Sequence, residues 1–211
     1  MNRRDALLRV ATLVGATMTL PALGSSALAD TLEASAAQRM ATGKPVLFTA
    51  DQDALVADLA DVIIPTTNTP GAKAAKVNEI IDVVLKDCYK PADQQRFIQG
   101  LTMTQKMSQD SYGKSFSQLD ANQKIELMKK LEADAKQQRS DAARAVAGQQ
   151  DVQIAAENRN VTPFFAMLKD LTLMGYFTSE IGATQALEYV AIPGRYDGCV
   201  PLKPGQKAWA L

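Results

Sequence analysis

Apolar positions recur with helical spacing through most of the chain after residue 47. Leu55, Val56, Leu59, Val62 and Ile63 stand at i, i+1, i+4, i+7 and i+8, and Pro65 ends the run, which predicts a helix over 51–64. Thr49 followed three residues later by Gln52 has the pattern of a capping box, in which side chain and backbone at the helix start exchange hydrogen bonds. The turn-rich stretch PTTNTPGAKAA, residues 65–75, separates this helix from a second over 77–88, with Ile80, Ile81, Val84 and Leu85 on one side. A third helix over 92–111 follows Pro91, carries Phe97, Ile98, Leu101 and Met107, and stops at Gly113. Asp120 and Gln123 repeat the capping pattern ahead of Ile125, Leu127, Met128 and Leu131, which open a fourth helix.

From residue 133 to 160 the chain turns polar and Ala-rich, a pattern that fits both an exposed helix and a surface excursion, with little to offer a core. VTPFFAMLKDLTLMGYF, residues 161–177, predicts a fifth helix with Pro163 in its first turn, where a missing N–H leaves no helical bond unmade. Its apolar residues lie nearly all round, as in a helix buried at the centre of a domain. Asp51, Asp53, Asp58 and Asp61 fall on the polar side of the first helix and are expected to face water. No useful strand-period alternation, Gly-rich phosphate loop, heptad seam or internal repeat is present. The expected class is all-α: a compact multi-helix domain over 47–211 that ends in an irregular C-terminal tail.

The first residues read differently. MNRRDALLRVATLVGATMTLPALGSSALAD has a basic start, an apolar middle and a small-residue exit, so residues 1–29 are expected to be an export signal cleaved after Ala27-Leu28-Ala29. The apolar run from Val10 to Leu23 is too short and too diluted by Thr12, Gly15, Thr17 and Thr19 to anchor in a bilayer. Arg3-Arg4 followed by Leu7-Leu8 is similar to a twin-arginine signal, which exports proteins already folded. Position 6 is Ala where that signal usually has Phe, and an ordinary secretory signal is the alternative. The mature chain is expected in the periplasm, exported by the twin-arginine route. Residues 30–46, rich in Ala, Ser and Gln with Gly43 and Pro45, read as a flexible leader into the domain.

Charge and composition mainly exclude. The chain has 23 basic and 23 acidic residues, so there is no polybasic field to attract nucleic acid. It has no histidine, which removes a His acid or base, a haem axial His and most zinc or copper sites. Two cysteines cannot by themselves build an iron–sulfur cluster. Serine is plentiful, but the available bases are Lys and carboxylates in no recognisable arrangement. No catalytic, cofactor or metal residue is assigned. In an exported chain, Cys88 and Cys199 are candidates for a disulfide, which would close a loop of about 110 residues and add about 4–5 kcal/mol in the chain-entropy model. A bond from either cysteine to a partner subunit, or two thiols, are the alternatives. Tyr189, Tyr196 and Trp209, with Arg195, have the composition of a protein-binding surface, the alternative being that the tail packs on its own domain.

The tail also carries a resemblance. FFAMLKDLTLMGYFTSEIGATQALEYVAIPGRYDGCVPL, with Phe164, Phe165, Thr172, Gly175, Tyr176, Phe177, Gly182, Tyr189, Pro193, Gly194, Tyr196, Gly198 and Cys199, is similar to the C-terminal signature of the gluconate 2-dehydrogenase subunit 3 family. FTADQDALVADLADVIIPTTNTPGAKAAKVNEIIDVVL resembles that family's N-terminal half, in which an Ile-Ile-Pro segment leads into a Pro-Gly-Ala loop. The resemblance implies a small, cofactor-free helical subunit of an exported dehydrogenase. Its partner would be a large FAD-binding flavoprotein of the glucose-methanol-choline type, with a multihaem cytochrome c in many such complexes. The small subunit would escort the folded flavoprotein through the twin-arginine route. On that reading, residues 176–209 lie at or beside the partner interface, with Tyr176, Phe177, Tyr189, Arg195, Tyr196 and Trp209 as candidate contacts. A stand-alone helical binding or chaperone-like protein, or a periplasmic enzyme with an unrecognised carboxylate or Lys site, are the competing readings.

Overall fold

The computed structural model describes residues 26–147, 162–189, 194, 199, 201 and 204–210. Within them the order is α1 (Ser26–Thr42), α2 (Ala50–Ile63), α3 (Val77–Cys88), α4 (Pro91–Tyr112), a short 3-10 turn (Phe116–Gln118), α5 (Ala121–Ala147) and α6 (Phe164–Thr178). A wider π-type turn over Gly182–Ala186 then leads to two short strands, β1 (Glu188–Tyr189) and β2 (Trp209–Ala210), which pair in parallel. The class is all-α, as the helical spacing predicts. No described helix is long and apolar enough to cross a membrane.

The local signals act as expected. Thr49 Oγ1 accepts the Gln52 N–H at 3.2 Å while Gln52 Oε1 accepts the Thr49 N–H at 3.0 Å, closing the capping box of α2. Asp120 and Gln123 make the same exchange before α5, at 2.8 and 3.2 Å. Pro91 opens α4, and Gly113 ends it with φ 66°, a left-handed conformation that glycine adopts without steric cost. Pro163, expected in the first turn of α6, stands instead at its N-cap with extended backbone, one residue before that turn.

α6 is the central helix. It packs on α2, α3, α4 and α5 and buries Phe165, Met167, Leu168, Leu171, Gly175 and Tyr176. Phe97 of α4 joins this core edge-on to Phe164, with ring centroids 5.1 Å apart, and stacks on Phe48 at 5.8 Å. The approach of α4 to α6 needs Gly100, because a Cβ there would run into the Phe164 ring.

Three expectations change. The segment 30–46, read as a flexible leader, is helical through Thr42 in α1, and α1 packs on α3. The physical reason is Arg39, whose guanidinium is buried and donates to Asp82 and, at 2.8 Å, to Asp53. Burial pulls the Arg39 pKa down, but the hydrogen bonds and charges of Asp53 and Asp82 outweigh it and hold the group above its usual value. The Asp row of α2 is correspondingly not simply solvated: Asp53 also accepts from Asn78 at 3.0 Å, and Asp58 pairs with Lys73 at 2.8 Å. Finally, the stretch after 133 continues α5 as far as Ala147, and Ala135 is part of the core; residues 148–161 lie outside the described residues.

Asp82 is fully buried in the middle of α3 and holds the N-terminal region together. Besides Arg39, its carboxylate accepts the backbone N–H groups of Val46 at 2.7 Å and of Leu47 and Phe48 at 3.0 Å. Replacing it with Ala leaves a buried guanidinium short of one carboxylate and three N–H groups without acceptors. Asp82→Ala is expected to lower the unfolding free energy by about 3–5 kcal/mol. Lys73→Ala removes only a solvent-exposed pair and is expected to change it by less than about 1 kcal/mol. Urea unfolding of the two variants checks the contrast, and equal midpoints would contradict the assignment.

Candidate partner-binding surface

The C-terminal third is organised around Tyr176, which is 2% exposed. Its hydroxyl donates to the carbonyl of Pro70 at 2.7 Å, joining the end of α6 to the loop between α2 and α3. That loop is itself closed by Ala72 N–H to Ile64 O at 2.9 Å and Gly71 N–H to Thr66 Oγ1 at 3.1 Å. Gly71 admits no side chain, since a Cβ would lie 2.6 Å from Thr66 N and 2.8 Å from Ile64 O. The two sequence blocks that carry the family resemblance, which pack on each other through α6, are also joined by a hydrogen bond between residues 106 apart.

Beyond Tyr176 the chain turns tightly. Ser179 Oγ donates to Tyr176 O at 2.6 Å and accepts the Gly182 N–H at 3.0 Å. A Cβ on Gly182 would collide with the Tyr176 carbonyl, so this turn requires glycine. The π-type turn then delivers β1, whose Glu188 N–H donates to Ala208 O at 2.8 Å, while Lys207 Nζ donates to Gln185 O at 2.6 Å. These bonds fix the last described residues to the turn after α6.

On this base stands an apolar surface. Leu173, Met174 and Phe177 occupy the outward side of the last two turns of α6 at i, i+1 and i+4, with Phe177 42% exposed. Lys169 and Asp170, one turn earlier, are exposed beside them. The Phe177 ring is held edge-on against Tyr176, with centroids 5.2 Å apart. Tyr189 and Trp209 are 59% and 48% exposed. Glu188 pairs with Trp209 and Tyr189 with Ala210, so strand alternation sends Trp209 and Tyr189 to opposite faces of the ribbon.

The predicted contacts thus separate. Phe177, Tyr189 and Trp209 are exposed, whereas Tyr176 is a core residue whose hydroxyl is bonded to the Pro70 carbonyl and whose ring supports Phe177. Arg195 and Tyr196 lie outside the described residues, as do Arg3 and Arg4. Cys88, at the end of α3, and Cys199 are both exposed, and the structure does not join them by a disulfide. Partial desolvation, then the adjacent Asp87 carboxylate, raise the Cys88 pKa above the usual thiol value. Sequence reasoning missed Leu173 and Met174, because a helix that is apolar all round signals full burial. It also missed Asp82, although a carboxylate between Ile81 and Val83 in an apolar run was a legible signal.

Among the described residues no three Cys, Asp or Glu side chains converge as a metal ion would need. A cleft of about 500 Å³ between α2 and α4 is lined by Ala54, Leu55 and Leu101 together with polar groups, several of which the fold already uses. Gln52 serves the capping box, Asp58 pairs with Lys73, and Thr102 donates to Ile98 O. The molecule is an all-helical domain whose distinctive exposed feature is apolar and aromatic. The family model for gluconate 2-dehydrogenase subunit 3 matches residues 50–194, and the chain belongs to that family. Neither the comparison with curated proteins nor that with solved structures returns a match.

The glycine geometry gives a direct check. Gly182→Ala is expected to destabilise the protein by about 1–3 kcal/mol, since backbone rather than a movable side chain blocks the added methyl. Gly194→Ala, with nothing within 4 Å of its Cβ position, should stay within about 0.5 kcal/mol of the parent. Thermal unfolding of the pair measures both.

Proposed function

We propose that this chain is the non-catalytic small subunit of a periplasmic, FAD-dependent sugar or alcohol dehydrogenase complex. In this role it binds a large flavoprotein of the glucose-methanol-choline type, assists its folding, and carries it out of the cytoplasm on the twin-arginine signal that begins with Arg3 and Arg4. FAD belongs to the large subunit, and a multihaem cytochrome c is a further candidate partner. The family match supports the subunit role.

The observation that carries the reading is the outward side of α6. Leu173, Met174 and Phe177 stay in water on the most deeply packed helix, next to charged residues that keep the face soluble. Exposed apolar groups on a rigid helix are what a partner groove takes up at i, i+1 and i+4, and a surface ordered before binding reduces the entropy lost on association. Trp209 and Tyr189, fastened beside the turn, extend the aromatic content available to a partner.

Two measurements test this. Purification of the tagged full-length chain from its native host is expected to bring down a large protein with the visible absorbance of oxidised flavin. Phe177→Ala combined with Trp209→Ala is expected to weaken that association at least about tenfold, as loss of aromatic anchors does. Changing Arg3 and Arg4 together to Lys is expected to deplete both proteins from the periplasm. A colourless chain purified alone would overturn the subunit role, and an unchanged periplasmic yield would overturn the export role.

A further inference from the structure

The cleft of about 500 Å³ between α2 and α4 lies in the size range of small-molecule sites, about 300–1,000 Å³. Three elements build it. Asp51, Ala54, Leu55 and Asp58 follow one side of α2 at i, i+3, i+4 and i+7, and Leu101 and Gln105 stand one turn apart on α4. Ser115 and Ser117, at the 3-10 turn, complete the wall. Part of the polar lining serves no purpose in the fold. Asp51 has no hydrogen bond or ion pair among the described residues. Gln105 Oε1 accepts the Phe116 N–H at 3.5 Å, which leaves the two N–H donors of its amide uncommitted. The hydroxyls of Ser115 and Ser117 bond each other at 3.1 Å, and because one proton makes that bond the other remains for an outside acceptor.

This set of groups selects by charge and by hydrogen bonding. Two carboxylates in the wall, Asp51 and Asp58, repel an anion. A cation finds only Asp51, since Lys73 offsets Asp58 at 2.8 Å, and one exposed carboxylate holds a cation weakly. An apolar ligand takes water from the polar wall and gives nothing back. A neutral ligand carrying several hydroxyls uses every part. Its O–H groups donate to the Asp51 carboxylate in charge-assisted bonds, its oxygens accept from the Gln105 amide and the free serine proton, and its C–H face rests on Leu55 and Leu101. We propose that this cleft binds a neutral polyhydroxylated ligand of the sugar or sugar-alcohol class. The cleft shares no residue with the apolar side of α6, so the proposal does not depend on the subunit role. No aromatic ring lines the cleft to stack on a sugar face, and the expected Kd is accordingly weak, about 1 mM.

The test is an NMR titration of the 15N-labelled full-length chain at physiological ionic strength, where a lone exposed ion pair is screened. D-glucose, D-mannitol and sucrose are each added to about 100 mM, well above the expected Kd. At least one is expected to give saturable shifts confined to the Ala54, Leu55, Ser115 and Ser117 amides and the Gln105 side chain. D-glucuronate, an anion, and spermidine, a cation, are expected to bind at least about tenfold more weakly than the best neutral ligand. Asp51→Ala is expected to weaken that ligand at least about fivefold, as loss of a charged acceptor does. Asp110→Ala, at an exposed position near the end of α4 and outside the cleft, should leave it unchanged. Should Asp51→Ala fail to fold by circular dichroism, Ser117→Ala is read in its place. The proposal is overturned by the absence of saturable shifts with all three neutral ligands, by shifts spread over the whole surface, by glucuronate or spermidine binding as tightly, or by a cleft variant that binds like the parent.

Discussion

The carboxylate of Asp82 is the constraint on which the N-terminal half is built. A fully buried charge persists only where enough donors surround it, and here one guanidinium and three successive backbone N–H groups do so. Those donors come from two different places in the chain. Arg39 brings α1 onto α3, while Val46, Leu47 and Phe48 bring in the segment that starts α2, and Phe48 then stacks on Phe97 of α4. One side chain on α3 therefore sets where α1 lies and where α2 begins. Arg39 and this segment precede residue 50, where the family match begins.

At the other end of the domain, Tyr176 plays the corresponding part with a neutral bond. Its hydroxyl reaches Pro70 in a loop that Gly71 keeps tight, so the C-terminal end of α6 cannot shift without opening the α2 to α3 connection. Phe177 follows directly and inherits that rigidity through its edge contact with the Tyr176 ring. The same helix is thus core on one side and exposed apolar ridge on the other.

Much of the fold was legible from local pattern. The capping boxes at Thr49 and Asp120, the stop at Gly113 and the period of α2 to α4 depend on interactions a few residues apart, which is why spacing alone locates them. The outward side of α6 was not legible, because periodicity reports how apolar a helix is and not how many neighbours arrive to cover it. The candidate contacts show the same boundary. Tyr176 and Phe177 are adjacent aromatics in the sequence, yet one is buried by the loop at Pro70 and the other is left in water.

By itself, then, the sequence determined the helical class, the boundaries of the central helices, the absence of histidine chemistry and the family. Each of these follows from composition, from short-range bonding or from motifs read in order along the chain. Only the tertiary structure decided that residues 34–42 join the fold, that Asp82 is its buried anchor, and that Leu173, Met174 and Phe177 face outward. These depend on pairings such as Arg39 with Asp82 and Tyr176 with Pro70, across 43 and 106 residues. At such separations the partner is chosen by packing geometry, which no local pattern encodes.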